Sequence, residues 1–388
     1  MKKSKTLLSL FSIILCALLM FTVFTSSAFK DTAVADVKIH GVSGKLYEFG
    51  ESIIEALYDK ENTNSTNDGE NQVSQQVYLG GYPVGLKLYA DGVIVVGTEA
   101  VDTSDGDVDT AQKAGLLIGD VIKTINGHKV LTNAEVSGFI EQSNGNQLEF
   151  EIMRGKQLLK VNFCAAFSVS EGKYKAGLWI RDSSAGIGTV TFCTQNGLFA
   201  SLGHAVCDID TKEVLPISQG ECTDVNLTGY IKGGSGVTGE LCGFLESESK
   251  GLIYDNGDLG VYGEYNSVPG GRLVEISDSD EVKCGEASIF TTLENGLVTE
   301  YEIEIVSIDK NSEEHKNLVL KVRDKALIEK SGGIIQGMSG SPIVQNGKLV
   351  GAVTHVFLDD PTGGYGIFAE TMFQKLRNLK DDVYDNVA

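Results

Sequence analysis

The chain has 388 residues, 42% hydrophobic and 22% charged, which allows about two domains with buried cores beside a leader. A formal net charge of −21 leaves no basic surface for phosphate contacts and argues against nucleic-acid binding. With 46 glycines and 5 prolines the chain reads as turn-rich and mainly β, and none of its seven cysteines forms a CxxC pair, so neither metal nor cofactor is expected.

The chain opens with Met1-Lys2-Lys3-Ser4-Lys5, followed by an uncharged run of 18 residues, Leu7 to Phe24. Lysines before an apolar run mark an export signal and stay on the cytoplasmic side. Ser26-Ser27-Ala28 offers small residues for a signal peptidase. Residues 1–28 are therefore a cleaved signal peptide or a single membrane anchor, and the run length sits at the border between the two. An exported location would permit disulfides among Cys164, Cys193, Cys207, Cys222, Cys242 and Cys284, with buried free thiols as the alternative. Residues 29–76 read as a flexible region, most clearly through Asn62-Thr63-Asn64-Ser65-Thr66-Asn67-Asp68-Gly69.

Residues 77–165 read as the first domain. Gly92 to Gly97 predicts a buried strand, and Ala111 to Leu116 a single helical turn stopped by Gly115. Asn126-Gly127 is a hairpin signal, and Thr132 with Glu135 a capping box that opens a helix running to about Gln142. Leu148-Glu149-Phe150-Glu151-Ile152 alternates as a strand. This order, and the run from Ala111 to Gly127 in particular, resembles a PDZ domain. The resemblance implies peptide binding by strand addition beside the long helix. The matching ligand loop would be Gly80 to Leu86, with Gly81, Gly85 and Leu86 as the peptide-binding residues, although Pro83 removes one donor there.

Residues 166–388 carry the chemistry. Gly337-Met338-Ser339-Gly340-Ser341-Pro342 places a serine on a glycine-flanked turn, and a strand, an Asn346-Gly347 hairpin and a second strand follow. The layout resembles the nucleophile region of chymotrypsin-like serine proteases. That resemblance implies a double β-barrel, Ser339 as nucleophile, and an oxyanion hole from the N–H groups of Gly337 and Ser339. The base must be a histidine. His40 precedes the domains, His128 lies on a turn and His315 in a charged run, which leaves His204, among small residues, ahead of His355. The orienting acid is open on sequence alone among Asp324, Asp224, Asp255, Asp258, Asp359 and Asp360.

Three further runs are specific: Gly177 to Thr189, Leu202-Gly203-His204, and Gly332 to Pro342 continuing through Gly351 to Phe357 and Asp360-Pro361-Thr362. Together with the basic leader and the first domain they resemble the stage IV sporulation protein B family from about Val77 onward. By that resemblance His204 and Ser339 match the family's catalytic pair and Asp324 its proposed acid. The resemblance further implies an exported, membrane-associated protease of the space between the two forespore membranes. Such a protease cleaves itself and then a regulatory membrane-protein partner of an intramembrane protease complex, and so activates a late sigma factor. The rival reading is a non-catalytic, membrane-tethered PDZ scaffold with a protease-like domain.

Overall fold

The computed structural model of the chain describes residues 75–385, with side chains to residue 379. The expected leader (1–28) and nearly all of the expected flexible region (29–76) lie outside the described residues.

Six antiparallel strands close the first barrel. They are Pro83–Thr98, Leu178–Cys193, Leu198–Ser201, Gly260–Tyr265, Glu240–Gly257 and Ile217–Ile231, each bonded to the next and the last back to the first. The first strand shows why. Val84, Leu86, Leu88 and Ala90 recur at every second position and are at most 3% exposed, as a strand with one face in a core requires. They meet Phe199, Cys222 and Ile253 from the other strands, and each large side chain buried there contributes about 1.5–3 kcal/mol.

A second packed unit is inserted into this barrel. Pro83–Thr98 and Leu178–Cys193 run past the barrel as one ladder, pairing Tyr89 with Ser183 and then Thr98 with Leu178. The chain between them forms the strands Val121–Ile125, Leu148–Arg154 and Gln157–Phe163 and the helices Thr110–Ala114 and Asn133–Gln142. The local signals act as read. Gly115 ends the short helix at φ 75°, Asn126 and Gly127 turn a hairpin at φ 52° and 76°, and Thr132 and Glu135 form the capping box. Val93, Val95, Ile122, Ile140, Phe150 and Phe163 make a core of their own. The boundaries of the domains differ from the expected 77–165 and 166–388. The first half of Pro83–Thr98 is a barrel strand, because its partners Gly188 and Thr223 come from far later in the chain.

The second barrel is closed by Gly285–Thr291, Thr299–Ile308, Leu318–Val322, Gly363–Phe368, Lys348–Val356 and Pro342–Gln345. Ile289, Ile303, Leu320, Ile343 and Val353 fill it. The helix Ala369–Asp385 packs Met372 and Leu376 against Phe192 and Tyr262 of the first barrel and Ile367 of the second. All six cysteines among the described residues are free thiols, and burial pushes those of Cys193 and Cys222 up to about 12. Among the described residues no helix is long and apolar enough to cross a membrane.

Candidate active site

The nucleophile turn follows the helix Lys325–Ser331, which Gly332 ends at φ 83°. Gly337 and Gly340 then take φ of 92° and 94°, conformations that side-chain-bearing residues rarely adopt. At Gly340 there is also no room, since a Cβ would collide with the carbonyl of Thr189.

The first barrel grips this turn. The Thr189 N–H donates to the Ser339 carbonyl at 3.0 Å, the Thr189 hydroxyl to that of Gly337 at 2.7 Å, and the Thr191 hydroxyl to that of Gly340 at 2.8 Å. From the second barrel, the Gly340 N–H donates to Val353 at 2.7 Å and the Ser339 hydroxyl to the carbonyl of Thr354, also at 2.7 Å. Among the described residues no group accepts from the N–H of Gly337 or of Ser339. Both are thus available to a developing oxyanion.

His204 arrives on the loop after strand Leu198–Ser201. Leu202 and Gly203 take φ of 65° and 70° in succession, so the chain turns sharply just before the imidazole. Leu202, strained at that φ by about 1 kcal/mol, is held by burial at 5% exposure. Gly203 packs on Thr354 and Ile367, where a Cβ would press into both side chains. The His204 ring lies 4.8 Å from that of His355, at an angle of 37°. Its Nδ1 is 2.8 Å from the Ala205 carbonyl. Burial lowers the His204 pKa below the ordinary 6.5, against the opposing pull of that carbonyl. Burial first, then the neighbouring His204 and Lys316, bring His355 down to about 4.

Ser339 and His204 thus meet the same short stretch of strand Lys348–Val356, one through the Thr354 carbonyl and the other through the His355 ring. No hydrogen bond joins the two directly. His355 lies on that strand, as expected for a residue after the nucleophile.

Two sets of expected residues lie elsewhere. No hydrogen bond joins Asp324 to His204. Asp324 caps the helix Lys325–Ser331, accepting from the Leu327 N–H at 3.0 Å and the Glu302 N–H at 3.4 Å. An aspartate just before an apolar helix is a strong N-cap, and each of its oxygens accepts one backbone N–H there. Of its rivals, Asp224 pairs with Lys250, Asp255 with Lys375 and Asp360 with Lys321. The expected peptide loop is interior to the first barrel. The Gly81 N–H and carbonyl are bonded to Val190 and Thr292, Gly85 is paired on both sides, to Ile187 and Thr223, and Leu86 is core. With both edges of this segment occupied, no strand can be added to it.

Sequence reasoning missed the threonines. Thr189 and Thr191 alternate with Val190, so their side chains share one face of the strand, and that face meets the nucleophile turn. The T-V-T alternation after Gly188 was visible, but its partner lies about 150 residues away and leaves no local mark.

The family described as SpoIVB peptidase S55 matches residues 172–373, just over half of the chain. No curated protein matches the sequence. Among solved structures, the chain is similar to the Rv3671c protease of M. tuberculosis in its active form, at 13% identity over 50% of this chain and 74% of that one, with a TM-score of 0.32. It is also similar to the HtrA-type protease AlgW with a decapeptide, at 12% identity over 52% of this chain and 55% of that one, with a TM-score of 0.30.

Proposed function

The chain belongs to the SpoIVB peptidase S55 family, and from that premise we propose that it is a serine endopeptidase acting through Ser339 and His204. The observation that carries this reading is the convergence of the two residues on Thr354 and His355, beside a turn whose N–H groups at Gly337 and Ser339 are unspent.

The chemistry follows from hydrogen-bond polarity. A carbonyl only accepts, so the bond to Ala205 puts the His204 proton on Nδ1 and leaves the Nε2 lone pair free. For the reaction the Ser339 hydroxyl leaves Thr354 and gives its proton to that lone pair. The Oγ then attacks the peptide carbonyl, and the oxyanion takes the Gly337 and Ser339 N–H groups. The imidazolium returns the proton to the leaving amine, and water hydrolyses the acyl-enzyme by the reverse sequence.

The finer reading is also a proposal. The enzyme is exported and membrane-associated through its N-terminal segment, cleaves itself, and then cleaves a regulatory membrane protein of an intramembrane protease complex in sporulation signalling. The inserted unit serves as its PDZ-type peptide-binding module, a reading supported by the capped helix Asn133–Gln142, whose Asn133 N–H donates to Asp182 of the strand that continues into the active site. A scaffold reading draws on one feature, the Ser339 hydroxyl held by Thr354 rather than by an imidazole.

The full chain, wild type beside Ser339→Ala, separates the two when followed by intact mass alone and with an unfolded protein substrate. Shortening in the wild type only supports the peptidase. If both proteins behave alike, the serine reading fails.

A further inference from the structure

The hydrogen bond of the His204 ring goes to a backbone carbonyl, that of Ala205. We propose that Asn256 is the positioning residue of the catalytic histidine, acting by clamping the peptide that follows it. The proposal deepens the serine-peptidase reading and rests on it.

Asn256 stands near the end of strand Glu240–Gly257, just past an irregularity in register between Ile253 and Asp255. Such an irregularity re-aims the side chains beyond it. Its amide is fully engaged with one loop. Oδ1 accepts from the Val206 N–H at 2.7 Å, and Nδ2 donates to the carbonyls of Val206 at 2.9 Å and Leu215 at 3.0 Å. The Leu215 N–H returns to the Val206 carbonyl at 3.0 Å. Val206 is therefore fixed at both its N–H and its carbonyl. Ala205, whose carbonyl meets the His204 Nδ1, is bonded directly to that fixed N–H. On the other side, Gly260 of the same hairpin packs on the backbone of Ser201 and Gly203, where a Cβ would crowd both. The hairpin Glu240–Tyr265 thus holds the segment 203–206 from both ends.

The chemistry of the loop selects an amide. One N–H and two carbonyls converge on residue 256, and only a group with one acceptor and two donors satisfies all three. An aspartate would set a carboxylate oxygen against two carbonyls. The clamp fixes the direction of the Ala205 carbonyl, and that carbonyl fixes the tautomer and angle of His204.

The test uses the full chain and two readouts. The first is nitrogen-15 NMR of histidine-labelled protein, with His204 assigned by its loss in His204→Ala. In the wild type His204 should be the Nδ1–H tautomer, and in Asn256→Ala a mixture of both. The second is the rate at which a fluorophosphonate labels Ser339, taken across pH. Asn256→Ala and Asn256→Asp should each lower the limiting rate about 100-fold, the scale of a misplaced catalytic group. The apparent histidine pKa of that profile should move, while the thermal midpoint stays within a few degrees. Finding the Nε2–H tautomer in the wild type overturns the proposal. So does a variant whose labelling falls only in proportion to lost folded protein. Wild-type protein that never labels refutes the peptidase reading, and the NMR result still decides the clamp.

Discussion

The Ser339 hydroxyl donates to the Thr354 carbonyl at 2.7 Å, and Thr354 is the chain neighbour of the histidine whose ring lies against that of His204. The resting nucleophile is therefore tied to backbone one residue short of the imidazole's own contact. The serine must leave this carbonyl before a base can take its proton.

The two readings of Asp324 part at a conservative substitution. An N-cap tolerates Asn as well as Asp, whereas a triad aspartate changed to Asn costs about 10⁴ in kcat. Asp324→Asn should keep peptidase activity within a few-fold of wild type. Asp324→Ala should lose about 1 kcal/mol of stability in urea melts through the uncapped helix Lys325–Ser331. A collapse of kcat in the Asn variant at unchanged stability would return Asp324 to the triad.

The acid limb of the rate profile should lie below pH 6.5. His204 works as a base only when neutral, and burial holds its pKa below that ordinary value. Hydrolysis of a peptide substrate, followed as kcat/KM against pH, should fall to half its plateau at a pH below 6.5. A limb above 6.5 would reveal a carboxylate partner that raises the pKa.

His355 adds a stability effect of defined sign. Its folded pKa is brought down to about 4, whereas the unfolded chain titrates near 6.5. Between those values the unfolded state binds a proton that the folded state does not. Stability from this residue is complete above 6.5 and declines as pH falls towards 4. Thermal melts of His355→Asn should therefore depend less on pH across that window than those of the wild type.

Gly340→Ala should abolish Ser339 labelling. The substitution combines a φ of 94° with a collision against the Thr189 carbonyl, so the nucleophile turn must shift away from the first barrel. Gly347→Ala is the matched control: its φ of 81° is just as unusual, but nothing lies near its Cβ. It should cost about 1 kcal/mol of stability and leave labelling intact.

Within the inserted unit, Arg154→Ala should be more damaging than its exposure suggests. Asp120 is 1% exposed, and Arg154 meets it with two nitrogens, each at 2.7 Å. Removing the guanidinium leaves the buried carboxylate with only the Leu117 N–H, at roughly 2 kcal/mol once the partial exposure of Arg154 is allowed for. Hydrogen exchange should show the loosening in 101–177 first.

Local chemistry was readable from the residues. The two Asn-Gly hairpins, the Thr132 capping box and the glycine-flanked turn at Ser339 depend on neighbours a few positions apart, and each formed where read. What depended on distant strands was not readable. Gly81, Gly85 and Leu86 looked like an edge because the partners that bury them, Val190, Ile187 and Thr223, come more than a hundred residues later. Asp324 stood out among the acids only through the family resemblance, and nothing nearby revealed whether it would face a histidine or its own helix. Asn256 gave no signal at all, because an amide clamp has no motif.

The insertion of one packed unit into the first barrel also sets an order of assembly. The strand beginning at Pro83 emerges from the ribosome long before Thr189, with which it must pair, and closing so long a loop in an unstructured chain is entropically unfavourable. If the inserted unit folds first, it brings Thr98 and Leu178 side by side. From there the ladder can zip towards Pro83 and Thr189 by short local steps, ending beside the nucleophile turn. On this view the inserted unit is the starting clasp of the barrel. Excising it would cost the protease its folding route before it cost any binding function.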